Sequence, residues 1–228
     1  KVINKRSAAI IAVHTFGNIC NIEDLKIFKL PIIEDACQAF GISKGDNLIT
    51  GNMSDISFMS FHATKCLTTG EGGMISLNNK YLLPSCNIKK SIKKESIHIS
   101  PMSDLQASLG IIQFNRYNEF KARRKKIRSF FLSSFKEKGI EVNNDNESEM
   151  WFRFCINSKN NYEEFKNHFI SNGVETRRGV DQLLNRKYNL NQIEKKDFSE
   201  STMLYESNLS IPCYPALKDQ EVNYISEI

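Results

Sequence analysis

The sequence predicts an α/β protein, with a mainly parallel β-sheet followed by a smaller α+β domain. Three observations favour this fold. In the first half of the chain, short apolar runs alternate with helix-like and turn-rich segments. A long stretch of helical periodicity begins near residue 103, and shorter strand-like and helix-like segments follow it. We therefore place a first domain at residues 1–128 and a smaller one at residues 129–228.

Four apolar runs predict the strands of the sheet: Ala8–Val13, Pro31–Ile33, Ile56–Phe61 and Met74–Leu77. The first run is continuous, which is typical of a strand buried on both faces. Between the first two runs, Asn21 is placed to cap a short helix that reaches Phe28. Acidic residues in the first turn of that helix suit its dipole. Because strands and helices alternate here, the sheet is expected to be largely parallel.

The long periodic segment predicts a helix that connects the two domains. Ser103 and Gln106 have the spacing of a capping box at its start. One long helix, or two helices joined by a kink, would fit the pattern equally well. Apolar residues recur along it at helical spacing and are expected to lie in the core: Leu105, Leu109, Ile112, Tyr117, Phe120, Ile127 and Phe131.

The smaller domain shows fewer clear elements. Trp151–Ile156 is strand-like, and Asn161–Ser171 predicts a short amphipathic helix. Asn172 and Gly173 are suited to end that helix. The sequence is then mostly polar until the apolar residues just before Pro212, which predict a further strand.

Composition excludes several classes of protein. No apolar run approaches the ~20 residues that span a bilayer, so we expect no membrane association. The chain has six cysteines but no Cys-x-x-Cys pair, and its four histidines are too few to complete a zinc cluster. Scattered cysteines in a chain of this size indicate reduced thiols, and we therefore expect a cytoplasmic protein.

The net charge of +5 is mild, and most of the excess lies in one run: Lys121, Arg123, Arg124, Lys125, Lys126 and Arg128. Such a run could bind nucleic acid. A solvated helix face is the simpler interpretation, because no interleaved aromatic residues or nucleic-acid motif accompany it. We therefore expect no nucleic-acid partner.

Polar side chains follow the ends of the predicted strands, where open parallel sheets bind their ligands. Asp35 ends the second strand, and Gln38 follows three residues later. A carboxylate at this position can keep a pyridinium nitrogen protonated. Ser60 lies near the end of the third strand, where its hydroxyl can bind a phosphate oxygen. Lys65 lies five residues further on among small and apolar residues, and its amine can form an imine.

Two histidines and a glycine-rich turn lie beside these residues. His14 follows the first strand, and His62 lies just before Lys65. Each could face the cleft, or could be a structural histidine with satisfied hydrogen bonds. Gly70–Gly73 suits a tight turn in which the backbone passes close to a ligand.

Five segments of the chain resemble, in the same order, the motifs of the DegT/DnrJ/EryC1/StrS family of sugar aminotransferases: Val13–Gly17, Glu34–Gly41, Ser60–Lys65, Gly70–Gly73 and Met102–Gly110. A looser resemblance continues through Gly173–Thr176 and Leu209–Pro215. The resemblance implies the fold-type I transferase architecture and pyridoxal 5′-phosphate as cofactor.

The same resemblance implies a role for each candidate residue. Lys65 would be the Schiff-base lysine, and Asp35 the partner of the pyridine nitrogen. Gln38 would lie against the cofactor ring or its oxygen, and Ser60 would bind the phosphate. No metal ligand is implied.

The implied reaction is the transfer of an amino group, from glutamate as the amino-acid donor, to a nucleotide-activated keto-sugar. The product would serve polysaccharide or glycoconjugate biosynthesis, and the enzyme would be a homodimer. Relative to the family pattern, the chain is expected to lack an N-terminal segment. A truncated, non-catalytic homologue is therefore an alternative. A dehydratase of the same fold is another, but its known variant has a histidine where this chain has Lys65.

Overall fold

The computed structural model describes residues 3–43, 49–78, 101–142, 151–189 and 198–228. The chain divides into two compact units. The first comprises Lys1–Ala122 with Ser148–Phe152, and the second comprises Arg123–Glu147 with Arg153–Ile228. The domain boundary after residue 128 stays a prediction.

The first unit contains a four-stranded sheet formed by β1 (Ile10–Val13), β2 (Ile32–Asp35), β3 (Ile56–Ser60) and β4 (Gly73–Leu77). The strands lie in chain order, with β1, β2 and β3 parallel and β4 antiparallel to β3. The four predicted strands and the largely parallel sheet are confirmed. Because three strands are parallel, their carboxyl ends lie at one edge of the sheet.

The expectation that β1 is buried on both faces is wrong. Ala12 is 2% exposed, whereas Ile11 is 63% exposed and Val13 is 47% exposed. Successive side chains of a strand point to opposite faces. Ala12 packs in a cluster with Ile22 and Ile32, and no described residue gives the other face comparable cover.

A short irregular segment connects β1 to β2. It contains a 3₁₀ turn (Thr15–Gly17), helix α1 (Ile22–Leu25) and a second 3₁₀ turn that ends at Phe28. Asn21 lies at the N-cap of α1 as predicted, but its side chain accepts no backbone N–H there. It donates instead to Asp24 Oδ2 at 2.7 Å.

The sequence allowed either one long connecting helix or two helices joined by a kink, and the structure contains two helices. Helix α2 spans Asp104–Asn115 and α3 spans Tyr117–Glu137. The backbone of Arg116, with φ −96° and ψ 0°, separates them. The capping box is confirmed, since Ser103 Oγ accepts the N–H of Gln106 at 3.3 Å and Gln106 Oε1 accepts the N–H of Ser103 at 2.9 Å.

The expected core face is confirmed for α3 and wrong for α2. Ile127 and Phe131 are 1% and 0% exposed. In contrast, Leu105 is 81% exposed and Ile112 is 58% exposed, and α2 has no buried residue. Helical periodicity identifies an apolar face but does not say what covers it. No described residue covers this face of α2.

The second unit is an α+β structure with its own core. Strands β5 (Phe154–Asn157), β6 (Arg177–Arg178) and β7 (Asn208–Ile211) form an antiparallel sheet in the order β5-β7-β6. In the described residues its helices are the part of α3 from Arg123 onward, α4 (Tyr162–Ser171), α5 (Leu184–Lys187), α6 (Ser199–Ser207) and α7 (Asp219–Glu227).

Predictions for the second unit succeeded only in part. Helix α4 and the strand before Pro212 are confirmed. The predicted strand at Trp151 begins only at Phe154. Helices α5 and α6 were not predicted, because their sequences are short and polar, and α7 was missed as well. The core of the second unit contains the rings of Phe131, Phe135 and Phe154, whose centroids lie 5.3–6.0 Å apart.

The basic run on α3 is not simply a solvated helix face. Arg124 is 5% exposed and donates to the carbonyl oxygen of Cys213. Arg123 pairs with Asp219 and donates to the carbonyl oxygen of Leu217. Two of the basic side chains therefore hold the segment that leads into α7, within the second unit.

Candidate active site

The site lies at the carboxyl edge of the parallel strands in the first unit. The N–H of His14 donates to the carbonyl oxygen of Asp35 at 3.1 Å, and the N–H of Ala36 donates to that of Phe58 at 3.0 Å. These bonds continue the sheet one residue past β1 and β2. Asp35 is consequently held at the end of β2, where its side chain is half-buried.

The charges of Asp35 and Lys65 both affect the pKa of the Cys37 thiol. The N–H of Cys37 donates to Asp35 Oδ1 at 3.0 Å. Burial raises the pKa of Cys37 to about 12, the Asp35 carboxylate raises it as well, and the Lys65 ammonium opposes them. Asp35 ends β2 and Lys65 follows the neighbouring parallel strand β3, so the carboxylate and the amine that were predicted from separate motifs lie at the same edge of the sheet.

The Lys65 side chain is held near an aromatic ring. Its backbone N–H donates to the carbonyl oxygen of His62 at 2.9 Å, in the turn that follows β3. Its Nζ lies 4.9 Å from the centroid of the Phe152 ring. Among the described residues, Nζ forms no ion pair and no hydrogen bond. Within the described ranges the amine is thus not committed to an ion pair or a hydrogen bond.

Phe152 is a site residue that the sequence analysis missed. Its N–H donates to the carbonyl oxygen of Phe16 at 3.1 Å, which holds the ring beside Lys65. Phe152 is far from every motif of the site in sequence. No local pattern could have indicated it.

The side chain of Gln38, predicted to contact the cofactor, forms a hydrogen bond within the protein. Its Oε1 accepts the N–H of Phe16 at 2.7 Å. Phe16 has a φ of 59°, in the left-handed region that non-glycine residues rarely adopt. Gln38 therefore stabilises a strained turn next to the site. Its contact with a cofactor ring or oxygen stays a prediction.

Ser60 ends β3 opposite Gly73 of β4. Its Oγ accepts the N–H of His62 at 3.4 Å, a long bond that leaves the hydroxyl hydrogen available. In the loop before β4, a Cβ on Gly72 would lie 2.4 Å from Thr69 Oγ1. The glycine at this position is therefore required by close packing.

The two histidines differ. His14 is fully buried, so of the two alternatives the structural histidine is the one observed. Its Nε2 lies 2.8 Å from Glu34 Oε1, and its Nδ1 accepts the N–H of Cys20 at 2.9 Å. His62 is exposed, with Nδ1 2.9 Å from Thr64 Oγ1.

Glu34, which the sequence analysis did not single out, is fully buried directly before Asp35. Burial raises the pKa of its carboxyl, but hydrogen bonds lower it more, so that the pKa lies below its usual range. Besides His14, two backbone groups donate to it: the N–H of Gly51 at 2.5 Å and the N–H of Met53 at 3.0 Å. Ser54 Oγ lies 3.4 Å from Glu34 Oε2 but donates its hydrogen to the carbonyl oxygen of Ile56 at 2.8 Å.

Neither a membrane span nor a metal cluster occurs in the described residues. No helix in the described ranges is both long enough and apolar enough to cross a membrane. Nor do His, Cys, Asp and Glu side chains gather there in any group of three or more that could hold a metal ion.

The sequence profile of the DegT/DnrJ/EryC1/StrS aminotransferase family matches residues 1–228. The chain belongs to this family. One similar relative is the GDP-perosamine synthase of Escherichia coli O157:H7, at 27% identity over 244 residues. That match covers 100% of this chain and 66% of the relative. The chain thus spans just under two thirds of the length of this relative.

Solved structures show the same fold. PseC of Helicobacter pylori, an aminotransferase involved in the biosynthesis of pseudoaminic acid, matches with a TM-score of 0.84 at 20% identity. The match covers 99% of this chain and 67% of PseC. The PLP form of Spr1654 from Streptococcus pneumoniae matches with a TM-score of 0.77 at 22% identity, over 99% of this chain and 68% of that one. The fold-type I transferase architecture expected from the sequence is confirmed.

Proposed function

We propose that the chain belongs to an aminotransferase that uses pyridoxal 5′-phosphate. The enzyme transfers an amino group from an amino-acid donor, glutamate, to the keto group of a nucleotide-linked sugar. The observation that carries this proposal is geometric: Asp35 ends β2 and Lys65 lies in the turn after the neighbouring parallel strand β3, so both lie at the same edge of the sheet. Family membership supports it.

The chemistry of the side chains fits the cofactor. Pyridoxal 5′-phosphate offers an aldehyde to an amine, a ring nitrogen to a carboxylate and a phosphate to hydroxyl and N–H donors. Lys65, Asp35 and Ser60 supply one partner for each of these groups. Asp35 is only half-buried, so a ligand has access to it.

Each residue would have a distinct task. When bound, the cofactor supplies an electron sink for the negative charge that develops on the α-carbon of the donor. Lys65 would form the covalent attachment and, once released, move a proton at its Nζ. Asp35 would keep the ring nitrogen protonated. Ser60 would donate its hydroxyl hydrogen to the phosphate, and Gln38 would use the Nε2 that its bond to Phe16 leaves available.

The proposed substrate follows from the relatives. The similar protein of Escherichia coli is named a GDP-perosamine synthase, and PseC takes part in pseudoaminic acid biosynthesis. Both names concern modified sugars. We therefore assign a nucleotide-linked keto-sugar as acceptor, and polysaccharide or glycoconjugate biosynthesis as the process served.

A homodimer is part of the proposal. Helix α2 exposes several large apolar side chains: Leu105, Leu109, Ile111, Ile112 and Phe114. Apolar surface of this kind favours contact with another protein surface, and we assign that contact to a second copy of the enzyme. A cytoplasmic location is also proposed, because six scattered cysteines without a Cys-x-x-Cys pair indicate reduced thiols.

The test is direct labelling of the lysine. Incubation with pyridoxal 5′-phosphate should produce an absorption band that borohydride removes, and peptide mapping should place the reduced adduct on Lys65. Lys65→Ala should lose the band, whereas Lys125→Ala, a change at an exposed position, should keep it. An adduct on another lysine, or no band at all, would overturn the proposal.

A further inference from the structure

Beside the candidate site lies a second polar cluster for which the proposed reaction has no use. The side chains of His14 and Glu34 are both 0% exposed. Burying a charged carboxylate is costly unless donors satisfy it. Glu34 receives three, from His14, Gly51 and Met53. The segment after β1 and the segment before β3 therefore both donate to this one carboxylate.

The hydrogen bonds of His14 define its tautomer. Nδ1 accepts the N–H of Cys20, so the ring hydrogen lies on Nε2 and donates to Glu34 Oε1. The imidazole thus links the segment before α1 to β2. Both ring nitrogens are occupied, so His14 has no free group for a substrate.

Residues 14–16 are attached at three points to the segment 34–38, which carries the site residues Asp35 and Gln38. The N–H of His14 donates to the carbonyl oxygen of Asp35, and its side chain donates to the neighbouring Glu34. Two residues further on, the N–H of Phe16 donates to Gln38 Oε1. Residues 14–16 are therefore fastened to residues 34–38, which carry the carboxylate and the amide proposed to contact the cofactor.

We infer that His14 and Glu34 are positioning residues, which hold Asp35 and Gln38 in place through the bond between their side chains. Successive residues of a strand point to opposite faces, so Glu34 anchors β2 from one side while Asp35 faces the other. The assignment to cofactor binding rests on the proposed function. The mechanical link between residues 14–16 and 34–38 does not.

Hydrogen–deuterium exchange of the chain without cofactor tests the link. Glu34→Gln keeps the size of the side chain but turns an N–H₂ group toward donors. We expect exchange in peptides covering 14–18 and 35–38 to rise about tenfold, as loss of a buried charge-assisted bond would allow. Peptides from β5 and β7 in the second unit are the internal reference. The matched control is Glu23→Gln, which changes an exposed ion pair with Lys26.

Two histidine variants separate the bond to Glu34 from the bond to Cys20. A glutamine side chain can place a donor near the position of Nε2, whereas an asparagine can only replace the acceptor at Nδ1. We expect His14→Gln to retain slow exchange in 14–18 and 35–38, and His14→Asn to lose it. If Glu34→Gln does not fold, the two histidine variants still test whether the bond between His14 and Glu34 slows exchange in residues 14–18 and 35–38.

Cofactor titration supplies the second readout. Glu34→Gln and His14→Asn should weaken pyridoxal phosphate binding about tenfold at temperatures where they remain folded, with His14→Gln close to the wild type. Uniformly faster exchange in both units, or equal behaviour of the two histidine variants, would overturn the positioning role. A wild-type chain that fails to bind the cofactor would instead overturn the proposed function, while the exchange comparison still decides the link.

Discussion

Two acidic residues next to each other at the end of β2 have opposite environments. Glu34 is fully buried, and three donors occupy its oxygens. Asp35 is half-buried and accepts the N–H of Cys37. The comparison teaches that a buried carboxylate with several donors holds structure, while a half-buried one with fewer donors is available to a ligand.

Lys65→Ala should produce the largest effect. It should reduce turnover, as expected for a residue that contacts a ligand, and should not reduce stability as a change at Glu34 would. Without the amine there is neither a covalent attachment nor a proton carrier, so we expect turnover to fall by at least about 10⁴-fold. The unfolding midpoint should change little, because Nζ forms no ion pair with a described residue. A transamination assay with glutamate and a panel of nucleotide keto-sugars, with Lys125→Ala as control, measures it. Substantial activity in Lys65→Ala would break the assignment.

Glu34→Gln should have its main effect on stability. Removing the charge of a fully satisfied buried carboxylate leaves donors without their acceptor, and we expect a loss of roughly 3–5 kcal/mol in the free energy of unfolding. Chemical denaturation followed by circular dichroism measures it. A loss of stability no larger than in the exposed control Glu23→Gln would contradict the conclusion that Glu34 stabilises the fold while Asp35 does not.

Asp35→Asn should instead reduce turnover and leave stability nearly unchanged. The variant keeps the shape of the side chain but removes the charge that holds the ring nitrogen protonated. We expect turnover to fall by roughly 10²-fold, the factor that about 3 kcal/mol at the transition state gives. Stability should stay within about 1 kcal/mol of the wild type. Asp24→Asn, at an exposed helix position, is the control. Near-wild-type turnover in Asp35→Asn would contradict its role.

Acid should weaken the difference between wild type and Glu34→Gln. The pKa of Glu34 is lowered in the folded chain relative to 4.5, so its charge contributes stability above that pH. The contribution is lost as pH falls through the lowered folded value, because the wild-type carboxyl then becomes neutral like glutamine. Unfolding free energies measured from pH 7 down to pH 3 should converge for the two proteins. A gap that stays constant with pH would contradict the lowered pKa.

Phe152→Leu should have the smallest effect and would refine the description of the Lys65 surroundings. A cation–π contact of about 0.5–1 kcal/mol is lost, which corresponds to a two- to fivefold fall in turnover when the amine is less well held. Phe152→Tyr keeps an aromatic face and should restore the rate. Equal rates in Phe152→Leu and Phe152→Tyr would show that the ring does not position the amine.

Much of the molecule was predictable from local sequence. The apolar runs placed β1 to β4, and Ser103 and Gln106 placed the start of α2, because strands and helix caps depend on residues close together in the chain. The motifs with Asp35 and Lys65 pointed to the site, because a strand end followed by a reactive side chain is also a local pattern. Helices α5 and α6 of the second unit had no such pattern and were missed; α7, with Val222 and Ile225 one turn apart on its buried face, was missed as well.

What only the tertiary structure decided is which groups meet and which faces are covered. Periodicity marked Leu105 as apolar, but packing left it exposed. The pairing of His14 with Glu34 and the approach of Phe152 to Lys65 join residues that are far apart in the chain. Such contacts depend on how strands and loops are packed. A sequence pattern therefore identifies candidate groups, while burial and hydrogen bonding decide that Glu34 is committed to structure and that the Lys65 amine pairs with no described residue.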